Sequence, residues 1–291
     1  MTSRIVHVGD IELWTESLGD AGAPALLLLA GDTLSSTSWP DSLVQRFVDG
    51  GLRVIRFDYR DTGRSTWREF SEHPYTFDDL AADAVAILDG WEVDAAHVVG
   101  FGMGGGISQL LALDYAARLR TLTLSNCFAL GVEFFDNWDR ALTGEPTPDG
   151  LPTPDRRFVE LAFGITPSEN GVQQAVSGDF YDANEIRDAE LIAREHAGRA
   201  DTRALHPHAG VRDGLDGRGA ELPGIATPTL VIEGMRDPIN PPPHGRHLAG
   251  LIPGARLVEI EGMGHSLPAA VHEKFAAAVL EHTGIVAHST K

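Results

Sequence analysis

The stretch Val98-Val99-Gly100-Phe101-Gly102-Met103-Gly104-Gly105-Gly106 constrains this chain more than any other. Residues 96–101 read as a strand, and a helical pattern starts at once, from about 103 to 119. Closely spaced glycines let a strand turn sharply into a helix, because glycine adopts positive φ without a Cβ clash. Two chemistries use such a junction. In G-x-G-x-x-G, matched by Gly100, Gly102 and Gly105, the turn cradles a dinucleotide pyrophosphate. In G-x-S-x-G a tight elbow presents a serine nucleophile. Gly100-Phe101-Gly102-Met103-Gly104 has that frame, with glycine in the serine place. The dinucleotide fingerprint fits poorly. It belongs after the first strand of its sheet, and four strand candidates precede this one. The next strand, 121–125, also ends in Asn126 rather than the acid that would hold a ribose hydroxyl.

The surrounding pattern alternates strands and helices. Residues 4–8, 11–17, 25–30, 53–58, 96–101 and 121–125 read as strands, with helices at 41–48, 77–88 and 103–119. Alternation resumes with strands 229–233 and 256–261 and helices near 246–251 and 269–282, and the residues from about 285 are expected to fray. Between them, 128–222 has helical stretches, Pro- and Asp-rich turns and no convincing strand. The expected fold class is α/β: a mostly parallel central sheet, helices on both faces and an inserted helical cap. The expected division is a core of 1–127 and 223–291 and a cap, or lid, of 128–222 over the carboxyl ends of the strands.

Two residues follow the elbow in a telling order. Asp237 sits just past strand 229–233 and His265 just past strand 256–261. A carboxylate behind an imidazole fixes its tautomer and stabilises its protonated form, so the ring can take and return a proton. Elbow, acid, histidine is the order found in α/β-hydrolases. The loop 31–36 follows strand 25–30, where such folds supply the second oxyanion-hole amide. Asp32 in that loop either points away or caps a turn, or else serves as a substitute general base.

Composition limits the partners. Acids outnumber bases 42 to 23, for a net charge of −19, which opposes binding to bare nucleic acid or to an anionic membrane. The one cysteine, Cys127, cannot form an intramolecular disulfide, and a reducing compartment is the default. Residues 1–10 are polar, unlike an export signal, and 25–30 is too short to span a bilayer, so a cytoplasmic location is expected.

The chain resembles the α/β-hydrolase methylesterases of anthracycline biosynthesis, the aclacinomycin methylesterase group, over nearly its whole length. The resemblance lies in Val54-Ile55-Arg56-Phe57-Asp58-Tyr59-Arg60-Asp61-Thr62-Gly63-Arg64-Ser65-Thr66, in helix 77–88, in residues 243–253 and in Gly262-Met263-Gly264-His265. It implies an α/β-hydrolase fold, with Asp237 and His265 as acid and histidine and Met103 as an oxyanion-hole amide. It places the serine position on Gly102 and the other hole residue near Asp32. It further implies a small polycyclic, polyketide-derived substrate, with no cofactor and no metal. Phe101, Gly102, Thr33, Cys127, Phe134 and Trp138 are the candidate substrate contacts. Cys127 is better explained as a small packing residue, and packing between helices explains the cap aromatics Phe134, Phe135, Trp138, Phe158, Phe163 and Phe180 equally well.

Gly102 decides the chemistry. Without a serine the acyl-enzyme route is lost. Ser125 follows another strand and Ser108 lies beyond the elbow, so neither replaces it. A His–Asp pair facing amide donors can still remove a proton beside a carbonyl and hold the enolate. The expected function is thus a non-hydrolytic, cofactor-independent enzyme of aromatic polyketide biosynthesis, performing cyclisation, carbon–carbon bond formation or isomerisation. The alternatives are a methylesterase-like hydrolase, altered at Gly102 or using His-activated water, and a non-catalytic binder of polycyclic ligands. Other features read as structural. His206, His208, His244 and His247 are expected as solvated surface histidines, Pro241-Pro242-Pro243 as a helix lead-in, and Asp78, Asp79 and Asp83 as a solvated helix start.

Overall fold

Ala25–Leu29 (β3) and Ala96–Phe101 (β5) have every residue buried, the mark of strands covered on both faces. They lie side by side in the middle of an eight-stranded sheet of order β1-β2-β4-β3-β5-β6-β7-β8. The other strands are Thr2–Val8 (β1), Ile11–Leu18 (β2), Arg53–Phe57 (β4), Leu119–Ser125 (β6), Thr229–Gly234 (β7) and Arg256–Ile260 (β8). β1 and β2 pair antiparallel, as do β2 and β4, and from β4 to β8 every pairing is parallel. The computed structural model describes residues 1–198 and 217–284.

The strand order dictates where the helices go. From β3 the chain passes through Asp41–Asp49 (α1) to β4 on one side, then through Phe77–Gly90 (α2) to β5 on the other. Crossovers between parallel strands are right-handed, so reversing direction sends α1 and α2 to opposite faces. Met103–Asp114 (α3) packs beside α2, whereas the C-terminal helix His272–Thr283 packs beside α1. The reversal also makes the gap between the carboxyl ends of β3 and β5 a topological switch point, where open α/β sheets bind ligands. The loop after β3 and the glycine elbow after β5 flank that gap.

Between β6 and β7 lie Phe134–Thr143 (α4), Arg156–Ala162 (α5), Gly171–Ser177 (α6) and Ala183–Ala197 (α7), with no strand among the described residues. Asp155 caps α5 by accepting from the Phe158 N–H, and Asp182 caps α7 by accepting from Asn184 and Glu185. Ala141, Phe158 and Val159 form a small core of their own, joined by Trp138, Val172 and Ile239, the last from the loop after β7. Helix α7 buries no residue and is tied at its ends instead. Glu185 accepts from the Ala269 N–H, and His196 Nε2 lies 2.7 Å from the fully buried Asp58 carboxylate.

Several expectations are corrected. Helix α3 stops at Asp114 instead of running to 119, because Arg118 is drawn back to the carbonyls of Val93 and Asp94 and forms a 3-10 turn. The acidic start of α2 is only partly solvated. Asp79 makes a reciprocal capping box with Thr76, whereas Asp83 is buried and takes both arms of the Arg60 guanidinium. His244, expected at the surface, is buried at the start of His244–Leu251 (α8), its Nε2 2.9 Å from the Pro152 carbonyl. The last helix is preceded by a 3-10 turn, Ala269–Val271, and is numbered α9 here. His206, His208 and the chain from 285 fall outside the described residues.

Elbow and sheet meet at Gly104, where any Cβ would collide with the carbonyl oxygens of Leu29 and Ala30. Gly104→Ala is therefore expected to destabilise the fold by about 3 kcal/mol, as overpacking against rigid backbone does. Urea unfolding of the variant beside the unmodified protein measures it.

Candidate active site

The elbow is built as its sequence requires. Gly102 has φ +54° and ψ −119°, a conformation that strains any side-chain-bearing residue. Its N–H donates to the Ser125 carbonyl, and its carbonyl accepts from Gly105, closing the turn into α3. Met103 follows as the first residue of α3, where N–H groups have no carbonyl a turn earlier to bond and face outward with the positive end of the helix.

His265 comes to the tip of this turn. A Cβ built on Gly102 would stand 3.0 Å from His265 Nε2, 3.6 Å from its Cε1 and 3.7 Å from the Gly31 Cα. The imidazole thus closes on the space a serine side chain would fill. Behind it, Nδ1 is 2.8 Å from Asp237 Oδ2. Asp237 is fully buried, which by itself would push its carboxyl pKa up; the facing imidazole and the N–H groups of Asn240 and Ile239 outweigh this and hold it below 3.8. An ionised carboxylate accepts from the Nδ1–H, which leaves Nε2 as the ring nitrogen that faces Gly102. The Phe101 ring meets the imidazole edge-on with centroids 5.1 Å apart.

Residues between β6 and β7 brace both loops of the pair. The Asp155 N–H donates to the Pro238 carbonyl beside Asp237. Gly178 bridges to Met263, and the Asp179 N–H donates to Gly262, just before His265. Asp237, His265, Gly102, Phe101 and Met103 are thus brought together.

The remaining candidates take varied places. Gly31, rather than Asp32, is the loop residue that meets the elbow; Asp32 is exposed and its charge acts on Tyr75. Thr33 is half-buried with φ +59°. Cys127 is buried under the elbow helix, where a Cβ on Gly105 would lie 2.5 Å from its sulfur, and burial next to Asp237 pushes its thiol pKa up. That is a packing position with an unreactive thiol. Phe134 stacks on Phe128 at 4.3 Å, and Trp138 meets Phe134, Phe158 and Phe163 edge-on, so both anchor the α4 aromatic cluster. The nearby hydroxyls are committed elsewhere, Ser108 to the Gly104 carbonyl and Ser125 to Asn126. Sequence reasoning missed Asn126, which donates to Asp237 Oδ2; its signal was an asparagine at a strand end, a type that tolerates left-handed backbone.

Because the folded Asp237 pKa lies below 3.8, its charge stabilises the fold above that value and the contribution is lost as pH falls through the lowered one. The stability gap between Asp237→Asn and the unmodified protein is expected to narrow as pH drops from about 5 to about 3. Urea unfolding across that range gives the slope; a gap independent of pH contradicts it.

Known proteins share this frame. The α/β-hydrolase fold family matches residues 24–268. The chain is 48% identical to rhodomycin D methylesterase DnrP of Streptomyces peucetius, over 97% of this chain and 98% of that protein. It is 47% identical to rhodomycin D methylesterase DauP of Streptomyces sp. strain C5, with the same coverage. A hydrolase from Pseudomonas aeruginosa PA01 superposes with a TM-score of 0.72 at 27% identity, covering 97% of this chain and 98% of that one. An eight-stranded sheet with its switch point between β3 and β5, the elbow after β5 and these matches lead to one statement: the chain belongs to the α/β-hydrolase fold family.

Proposed function

We propose that this chain is a proton-transfer enzyme of aromatic polyketide biosynthesis that works without an acyl-enzyme. The observation that carries this is the approach of His265 Nε2 to within 3.0 Å of the Cβ position on Gly102: the base is aimed and braced, and the residue it faces has no hydroxyl. A neutral imidazole there takes a proton from a carbon beside a substrate carbonyl. The C–H bonding pair becomes the C=C of the enolate, the carbonyl π pair moves to oxygen, and that oxygen is held by the Met103 N–H together with the backbone of the loop after β3, where Gly31 meets the elbow. The imidazolium, stabilised by Asp237, returns the proton after ring closure, carbon–carbon bond formation or a shift of the double bond. The substrate class, a polycyclic polyketide-derived ring system, is carried over from rhodomycin D, for which the two Streptomyces relatives are named. Helices α4 to α7 are assigned as the cap over this ring system, with Phe134 and Trp138 on its aromatic side.

A second reading, a methylesterase-like hydrolase in which His265 activates water, is favoured by the same two names. Incubation of polycyclic keto esters with the protein in deuterated water separates the two. Proton transfer puts deuterium on the carbon beside the carbonyl, and His265→Ala lowers that rate about 100-fold or more. Hydrolysis instead releases methanol from the unmodified protein. Methanol release that begins only in Gly102→Ser marks an esterase altered at that residue. Product formation unchanged by His265→Ala overturns the proposal, and tight ligand retention with no chemical change leaves a binder.

A further inference from the structure

With glycine at the elbow tip, no side chain at residue 102 anchors the front of the imidazole, and the ring's orientation is set from behind. Asp237 Oδ2 accepts the Nδ1–H of His265 and, at 2.9 Å, the side-chain amide of Asn126. The same Asn126 nitrogen donates at 2.8 Å to the carbonyl of Gly264, the residue before His265. We propose that Asn126 is a positioning residue for the His–Asp pair, one amide group tying the acid to the backbone that carries the base. The assignment rests on the acid–base reading of His265 and adds a residue to it.

Four observations support the role. The amide orientation is forced, since turning it over would set Oδ1 against the Asp237 carboxylate and the Gly264 carbonyl and leave two acceptors facing a third. As placed, Oδ1 accepts from the Ser125 hydroxyl at 3.0 Å, so the side chain is fully used. The backbone is pinned as well: the Asn126 N–H donates to Ile232, and its carbonyl accepts from the Asn240 side chain at 3.0 Å. This holds it at φ +50°, which asparagine tolerates better than most residues that carry a side chain. Room for the amide comes from Gly234 at the end of β7, where a Cβ would lie 2.6 Å from Asn126 Nδ2 and 2.7 Å from the Met263 carbonyl. Asn126 thus joins the carboxyl ends of β6, β7 and β8 at the point where the acid meets the base.

The test reads the imidazole directly by proton NMR and needs no substrate, so its outcome is separate from that of the proposed reaction. The Nδ1 proton of His265 is assigned by its loss in His265→Gln. Asn126→Gly suits the backbone at φ +50° and deletes the amide; Asn126→Asp keeps shape and oxygen but removes the donor. Both are expected to speed solvent exchange of the Nδ1 proton about ten-fold or more, while amide exchange in β5 and β6 stays unchanged. If Asn126→Gly fails to fold, Asn126→Asp carries the measurement. Exchange within about two-fold of the unmodified protein in either folded variant overturns the proposal. So does acceleration spread equally across β5 and β6, which marks a general fold defect.

Discussion

The buried carboxylate of Asp237 is the constraint on which this site depends. A charge removed from water is tolerated only when its oxygens are fully supplied with donors. Here the N–H groups of Ile239 and Asn240 serve one oxygen, and His265 and Asn126 serve the other. That requirement fixes the loop after β7, orients the imidazole on the loop after β8 and gives Asn126 its place at the end of β6. A group that had to be satisfied to be buried thereby organises three strand ends.

The fold supplies the front of the site by a different route. Reversing direction after β4 opens a gap between the carboxyl ends of β3 and β5, and Gly31 and Gly102 face each other across it. The residues between β6 and β7 then brace the back, through the Asp155–Pro238 and Asp179–Gly262 hydrogen bonds. A second buried histidine–carboxylate contact, His196 with Asp58, ties α7 to the core, and Asp58 also accepts from the N–H and hydroxyl of Ser36 in the loop after β3. The helical segment between β6 and β7 and the site loops are therefore mechanically continuous.

Much of this was legible in the chain. Strand runs such as 25–30 and 96–101 are solidly apolar because both their faces are covered, and the elbow glycines mark the strand–helix turn without ambiguity. Asp237 and His265 were found because each follows a strand in the order the elbow demands. What misled were side chains whose surroundings come from distant residues. Asp83 looked solvated beside Asp78 and Asp79, but Arg60, far off in sequence, draws it inward. His244 looked like a surface residue until the Pro152 carbonyl covered it. Asn126 looked only like a missing acid.

By itself the sequence determined the order of strands and helices, the sharp turn at Gly102 and the absence of a hydroxyl there, because these depend on local backbone freedom and on which atoms a residue carries. Only the tertiary structure decided that His265 closes on that empty position, that Gly31 rather than Asp32 meets it, and that Cys127 is packed beneath α3. Those outcomes depend on how strands remote in the chain align their ends. Alignment is set by the summed packing and hydrogen bonding of the sheet, to which no single segment holds the key.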